Sequence, residues 1–343
     1  MDIAIYKKLI VTILYLLNMF KIKLLLILQL IYNINTYKVS FPTFKKNYAI
    51  VKNININKLT ENEKNELKLL FTSVPMIMLK NQNVKPKTLY EFCKSFDDKA
   101  NDKIIHPFTH SQIQDVPQIS LRGEAYIEDM HGLKDITLKY SEPFKNTLIW
   151  HQDIVGHGTS LPPVVSCIYM KKTPSSGGNT LFASMEDAYD SMEFFMKKKI
   201  KKYNVIYSNS QNDMMNSYFD YTGINRVLND KTTTKGTTVI TREPLVVYSN
   251  PEKRRKAIML SPFRFNKFDK LSCDESFDLY REIMTKYVLT RDNIIDIEWD
   301  KNDLLIFNNR KLVHTSTPTI EYKNKERLYY SCFVGTSQPI IRH

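Results

Sequence analysis

Only four of the 343 residues are cysteines, nine are glycines and two are tryptophans. Cys93, Cys167, Cys273 and Cys332 lie far apart with no CxxC pair. That argues against a disulfide framework or a cysteine zinc site, and four buried thiols are the expectation. Arginine is scarce as well, 11 against 38 lysines, and no arginine cluster or glycine-rich basic motif accompanies the lysine-rich runs. The net charge of +13 therefore comes from lysines spread along the whole chain, in runs such as "NININK" and "MKKKIKKYN". A nucleic-acid partner is not expected from so diffuse a charge, and attraction of anionic substrates is its milder consequence.

A long uninterrupted apolar run is also missing. Leu9 to Leu17 and Leu24 to Tyr32 are each apolar, but Lys21 and Lys23 fall in the middle of the combined stretch. A central lysine costs about 3 kcal/mol on insertion scales, which speaks against one clean membrane span. No small-residue cleavage site precedes "NTYKVSFP", and residues 1–40 carry five Lys, one Asp and no Arg, unlike a transit peptide. Anchor, targeting segment and amphipathic surface helix all stay open, and so does the choice between a cytoplasmic and a membrane-associated protein. The expected division is a hydrophobic segment at 1–40 followed by a single domain at 41–343. A homo-oligomer is compatible with the sequence.

What the chain does have is 43% hydrophobic residues, ample for a sizeable core. Thr60 and Glu63 form a capping-box pattern ahead of Leu67, Leu70 and Phe71, so a helix starts there. "VPMIMLKNQ" reads as a buried strand and "KPKTLYEFCKSFDD" as a second helix. From Trp150 onward strand-like runs dominate: "VVSCIYM", "GNTLFA", "KGTTVITREPLVVY", "KAIMLSP", "IIDIEW", "DLLIFNN" and "RLYYSCFVG". Helices are expected at "SMEDAYDSMEFFMKKKI" and "CDESFDLYREIMTKYVL". No internal repeat or Pro/Gly/Ser linker interrupts residues 41–343, and the fold class is α+β with strands as the framework.

"WHQD" carries the chemistry. On a strand, side chains two residues apart share a face, so His151 and Asp153 can converge on one metal ion. Such a pair is common by chance and needs support. "DLLIFNNRKLVH" ends at His314, and two His with one Asp make the facial triad that leaves three octahedral positions open, suited to a bidentate 2-oxo acid and O2. Arg327, on a following strand, supplies a bidentate fork for the far carboxylate of such an acid.

The segments "VPMIMLKNQ", "WHQD", "TPSSGGNTLFASMEDAYDSM", "TREPLVVYSNPEKRRKAIMLSP", "DLLIFNNRKLVH" and "RLYYSCFVG", in this order, resemble the taurine dioxygenase family of Fe(II)/2-oxoglutarate-dependent oxygenases from about Phe41 to the C-terminus. The resemblance implies a double-stranded β-helix (jelly roll) core with flanking helices. It implies His151, Asp153 and His314 as iron ligands and catalytic centre, with Thr180 and Arg327 binding 2-oxoglutarate. The reaction would be hydroxylation of a small organic molecule by O2, or its desaturation by a related oxidation, with release of succinate and CO2. Asp153 argues against halogenation, since related halogenases lack that carboxylate. Arg310 reads as structural support. Taurine-type enzymes carry a second arginine four residues after the first, and here that position is Ser331. Taurine itself is therefore not the expected substrate, unless a lysine or arginine elsewhere takes over. His106, in "IHPFTH", and Ser331 are the substrate-pocket candidates, while His110 and His157 receive no role. Two other readings stay open: a catalytically silent jelly-roll binding protein, and a zinc-dependent hydrolase, which would leave Thr180 and Arg327 without a task.

Overall fold

The computed structural model describes residues 37–43, 45, 47–139, 148–156, 160–174, 177–208, 218–219, 226–227, 240–250, 254–317 and 326–343. The apolar runs at 9–32, most of "KGTTVITREPLVVY" before Ile240, and His157 lie outside these residues. No helix among the described residues is long and apolar enough to cross a membrane.

The elements that position the site run as follows. β1 (Lys38–Ser40) and β2 (Ala49–Lys52) lead into α1 (Glu61–Ser73), β3 (Met76–Leu79) and α2 (Pro86–Lys94). Then come β4 (Gln112–Ile113), β5 (Val116–Met130), β6 (Leu133–Leu138), β7 (Val165–Lys172) and β8 (Thr180–Ser184). The middle of the chain gives α3 (Met185–Ser191), α4 (Phe194–Ile200), β9 (Asn204–Ser208), β10 (Ile240–Pro244), β11 (Phe265–Phe268) and α5 (Cys273–Ile283). β12 (Ile294–Ile297), β13 (Leu304–Asn308), β14 (Leu312–Ser316) and β15 (Arg327–Phe333) complete the set.

The principal sheet has nine strands in the order β1-β2-β3-β13-β7-β15-β5-β4, with β6 paired to β5. Only β2 and β3 run parallel within it. A smaller sheet, β12-β8-β14, faces it. Between the two sheets lies an apolar layer of Met76, Met78, Ile168, Met170, Leu305, Phe307 and Tyr329 from the large sheet, met by Phe182, Ile295 and Ile297 from the small one. The opposite face of the large sheet is covered by α1 and α2 through Leu67, Phe71, Leu89 and Cys93. The opposite face of the small sheet is covered by α3, α4 and α5 through Met185, Met196, Leu279 and Ile283. Period-two alternation is what allows β15 to send Leu328, Tyr330 and Cys332 to one core and Arg327, Tyr329, Ser331 and Phe333 to the other side.

The α1 capping box forms as its sequence requires: Thr60 Oγ1 accepts from the Glu63 amide, and Glu63 accepts from the Thr60 amide. The "SMEDAYDSMEFFMKKKI" stretch is two helices rather than the expected one, because Met192 and Glu193 are extended, with ψ of 144° and 155°. The break buries Met192 beside Met196 and Ala188 and places Glu193 against the Tyr287 hydroxyl. Three of the four cysteines are buried as expected, whereas Cys273 at the start of α5 is only half-buried. Cys167 and Cys332 stand opposite each other on β7 and β15, with Cys93 of α2 beside them.

Candidate metal centre and cosubstrate site

His151 joins the small sheet by one bridge to His314: each amide donates to the other's carbonyl at 2.9 Å. This exchange of two main-chain bonds sets the separation of two residues 163 positions apart in sequence. The strand does not continue to Asp153, contrary to the expectation of a plain strand pair. The chain turns instead, and Ile154 has φ of 66°. A β-branched residue in the left-handed region costs about 1–3 kcal/mol, so the surroundings must hold it there. Asn309 does so, accepting from the Asp153 amide at 2.6 Å and donating to the Asp153 carbonyl at 2.9 Å. Gln152 adds two more ties, its amide to Ser261 Oγ and its carboxamide to the Asn309 carbonyl.

The three side chains meet. Asp153 Oδ1 lies 3.6 Å from Nε2 of His151 and 3.6 Å from Nε2 of His314. All three offer ligand atoms within 4.8 Å of one another, the single such group found among the described residues. An ion about 2.1 Å from each of two donors holds them about 3.0 Å apart at a right angle and about 3.6 Å apart at 120°. The spacing therefore suits a transition metal. Protonation states suit it too. His151 Nδ1 is 2.7 Å from the Ile149 carbonyl, which can only accept, so the ring proton sits on Nδ1 and the Nε2 lone pair is free. Burial, helped by the nearby His151, holds His314 well below the ordinary histidine range and thus neutral. Burial raises the Asp153 carboxyl, an effect opposed by His151 and by the Ser166 hydroxyl, which donates to Oδ2 at 2.8 Å. A buried carboxylate with no cation at hand is costly, and a bound dication removes that cost. Phe182 stacks on the His314 ring and Phe307 meets it edge-on, fixing its plane.

Thr180 and Arg327 form a second cluster. Arg327 is among the largest fully buried side chains of the described residues. Its Nε donates to the Gly178 carbonyl at 3.0 Å, its Nη2 to Thr180 Oγ1 at 3.4 Å, and its guanidinium lies 4.5 Å from the centre of the Tyr329 ring. Trp299 Nε1 also donates to Thr180 Oγ1, at 3.0 Å. With two donors on its oxygen, the Thr180 hydroxyl is left to donate its own proton, which a carboxylate oxygen would accept. Glycine is needed at two contacts with Arg327. A Cβ on Gly123, where φ is 125°, would lie 2.0 Å from the Arg327 carbonyl oxygen, and one on Gly178 would lie 3.1 Å from Arg327 Cδ.

His106 and Ser331 come together as a third cluster. His106 Nε2 is 3.1 Å from Ser331 Oγ, Nδ1 is 3.0 Å from Ser120 Oγ, and the ring stacks on Phe333 at 4.4 Å. Burial, with a contribution from Arg122, pushes His106 down to about 3. His110 is exposed. Arg310 is structural, donating to the carbonyls of Pro162, Gln338 and Pro339.

The family model described as "Taurine catabolism dioxygenase TauD, TfdA family" matches residues 38–332. The chain belongs to this family. It is an oxidoreductase that depends on Fe(II), 2-oxoglutarate and O2. Among curated relatives, the alpha-ketoglutarate-dependent xanthine dioxygenase xanA of Emericella nidulans is 21% identical over 85% of this chain and 94% of its own. The corresponding enzyme of Schizosaccharomyces pombe is 22% identical over 85% of each. An alkylsulfatase of Acinetobacter baylyi is 24% identical over 48% of this chain and 50% of its own. Among solved structures, a putative alpha-ketoglutarate-dependent taurine dioxygenase from Burkholderia xenovorans has a TM-score of 0.64 at 16% identity, covering 88% of this chain and 90% of that one. AAD-2 in complex with Mn(II) and N-oxalylglycine also has a TM-score of 0.64, at 19% identity, covering 89% of this chain and all of that one. These likenesses support the fold of the family.

Asn309, Ser166, Trp299 and Arg122 escaped the reading of the sequence. Asn309 sits in "FNNR", where only Arg310 stood out. Arg122 lies on β5, a 15-residue strand that was not anticipated. Its signal was present in the alternation of Ile119, Leu121, Ala125 and Ile127, broken by Gly123 at the point of contact with Arg327.

Proposed function

We propose that the chain hydroxylates a small organic molecule other than taurine at an iron held by His151, Asp153 and His314. The 2-oxoglutarate bound beside it is released as succinate and CO2. The observation that carries this reading is the convergence of one carboxylate with two imidazole nitrogens, each 3.6 Å from it, the histidines set by a main-chain exchange and Asp153 by the Asn309 carboxamide. Iron, when bound, supplies activation of O2 and oxidation of the substrate. The chain's own residues bind and orient. His151 presents Nε2 because Ile149 holds its other nitrogen, and Ser166 fixes which Asp153 oxygen is left for the metal. Arg327 and Thr180 take the far carboxylate of 2-oxoglutarate, a fork and a hydroxyl matched to its two oxygens. His106 and Ser331 belong to the substrate wall. The two facing sheets constitute a double-stranded β-helix, and the oxygenase domain covers 41–343 together with Tyr37 and β1 (Lys38–Ser40), which pairs with β2, so that the separate hydrophobic segment is confined to the residues before Tyr37. The names of the relatives point to small-molecule substrates, xanthine among them.

The test needs no substrate. Fe(II) and 2-oxoglutarate added anaerobically to the protein should give the weak visible charge-transfer band of the chelate. The band should be lost in His151→Ala and weakened in Arg327→Ala. A folded, metal-binding protein with no band would overturn the proposal and favour the zinc hydrolase or the silent binding protein.

A further inference from the structure

Beside the His106–Ser331 cluster stands a cation, Arg122. In the β5–β15 pairing, Ser120 stands opposite Ser331, Arg122 opposite Tyr329 and Glu124 opposite Arg327. Directly opposed residues share a face of the sheet, so Arg122 projects on the side of Ser331, Tyr329 and Arg327, toward the space between the sheets. Its guanidinium carbon sits 3.4 Å from the centre of the Phe108 ring. Phe108 in turn packs edge-on against His106, 5.6 Å between centres. His106 stacks on Phe333, and Phe333 packs with Ile154, the residue after Asp153. This chain of contacts leads from Arg122 to the metal centre.

Three properties make Arg122 a recognition group rather than a scaffold one. Stacking on Phe108 immobilises the guanidinium plane and leaves its N–H donors on the edge, the geometry that suits an oxyanion. Among the described residues no hydrogen bond or ion pair engages those donors, in contrast to Arg310, whose donors go to three carbonyls. Finally, its contact with Phe108, which packs edge-on against His106, places it beside the His106–Ser331 cluster.

We propose that Arg122 is the anion anchor of the substrate site, so that the substrate carries a carboxylate, sulfate, sulfonate or comparable oxyanion. The anionic group is seated on the Arg122 guanidinium beside the Ser120–His106–Ser331 hydrogen-bonded wall. Ser331 vacates the position four residues after Arg327, and Arg122, arriving from the neighbouring strand, supplies the positive charge from the other side of the same sheet face. His106 is neutral and engaged on both ring nitrogens, so it shapes the pocket without adding charge. The inference rests on the oxygenase reading above.

The experiment uses the full chain loaded with Mn(II) and N-oxalylglycine. Uptake of both is measured first, in the unsubstituted protein, Arg122→Gln and Arg122→Lys. Binding of benzoate, phenylacetate, hexanoate and hexyl sulfate is then measured by calorimetry, each beside its neutral amide or alcohol counterpart. At least one anion should bind about tenfold or more tightly than its neutral counterpart. That preference should vanish in Arg122→Gln and persist in part in Arg122→Lys, with neutral probes little changed. If no anion is preferred, or the preference survives in Arg122→Gln, the anchor assignment is wrong. If Arg122→Gln instead loses N-oxalylglycine while anion preference stays, Arg122 belongs to the cosubstrate site and the assignment is again wrong. If the unsubstituted protein takes up no N-oxalylglycine, the oxygenase reading itself fails and the inference falls with it.

Discussion

His314 and His106 are both buried histidines bordering the same interior space, and burial keeps both neutral. They differ in what their nitrogens meet. His106 has Ser120 and the Phe108 amide at Nδ1 and Ser331 at Nε2. His314 has no hydrogen-bond partner at Nδ1, and its Nε2 faces Asp153 and the ring of His151. Aromatic rings hold each in place, but only His314 presents a ring nitrogen, Nε2, to another potential ligand. A satisfied histidine is part of a wall. One whose Nε2 meets only a buried carboxylate and a second imidazole is placed to hold a cation.

The largest test of this contrast is substitution of the two rings by alanine. His314→Ala should abolish Fe(II) and Mn(II) binding, read by metal titration, while His106→Ala should keep metal binding within about tenfold. Loss of metal in both would erase the distinction. Next in size is Asn309→Ala, which frees the turn after His151 without removing a ligand. Metal affinity should fall about 10–100-fold, as it does when a group that orients a ligand is lost. The effect of His106→Ala should appear in stability instead, because the Ser331 hydroxyl loses its His106 partner while Ser120 keeps the Phe108 carbonyl. An orphaned buried group costs about 1–3 kcal/mol, measurable by denaturant unfolding.

The smallest effect sharpens the comparison through pH. His106 has a folded value of about 3 against an ordinary value near 6.5. Between these the unfolded chain binds a proton that the folded chain does not. This share of stability is therefore fully present above about pH 6.5 and is lost as pH falls toward 3. The slope for one proton is about 1.4 kcal/mol per pH unit. Unfolding followed from pH 7 to 4 should be less steep in His106→Asn than in the unsubstituted metal-free protein, and equal slopes would remove His106 as the cause.

Much of this site was legible because its chemistry is local in sequence or unusual in composition. His151 and Asp153 are two residues apart, Thr180 closes a Gly-Gly-Asn-Thr turn, and Arg327 is the one charged residue of its strand. The helix at Glu61–Ser73 announced itself through Thr60 and Glu63. What stayed hidden depends on contacts between distant segments. Nothing near Cys93 indicates that Cys167 and Cys332 converge on it, since that follows from strand order. The break at Met192–Glu193 has no glycine or proline to mark it and arises from tertiary burial. Arg122 looked like one basic residue in a basic chain until the β5–β15 register placed it opposite Tyr329.

The bonds around Asn309 have a consequence for how such a protein can change. The ligand-bearing segments are tied by main-chain exchange between His151 and His314 and by one carboxamide clasping Asp153. The substrate wall proposed above is composed of side chains on β5 and β15 and of the loop carrying His106 and Phe108. On that assignment, a substitution at Arg122 or Ser331 alters which molecule is admitted without pulling on the framework that carries the metal ligands. Inheritance of the reaction and drift of the substrate become separable, which is how one scaffold can diversify its diet while keeping its chemistry.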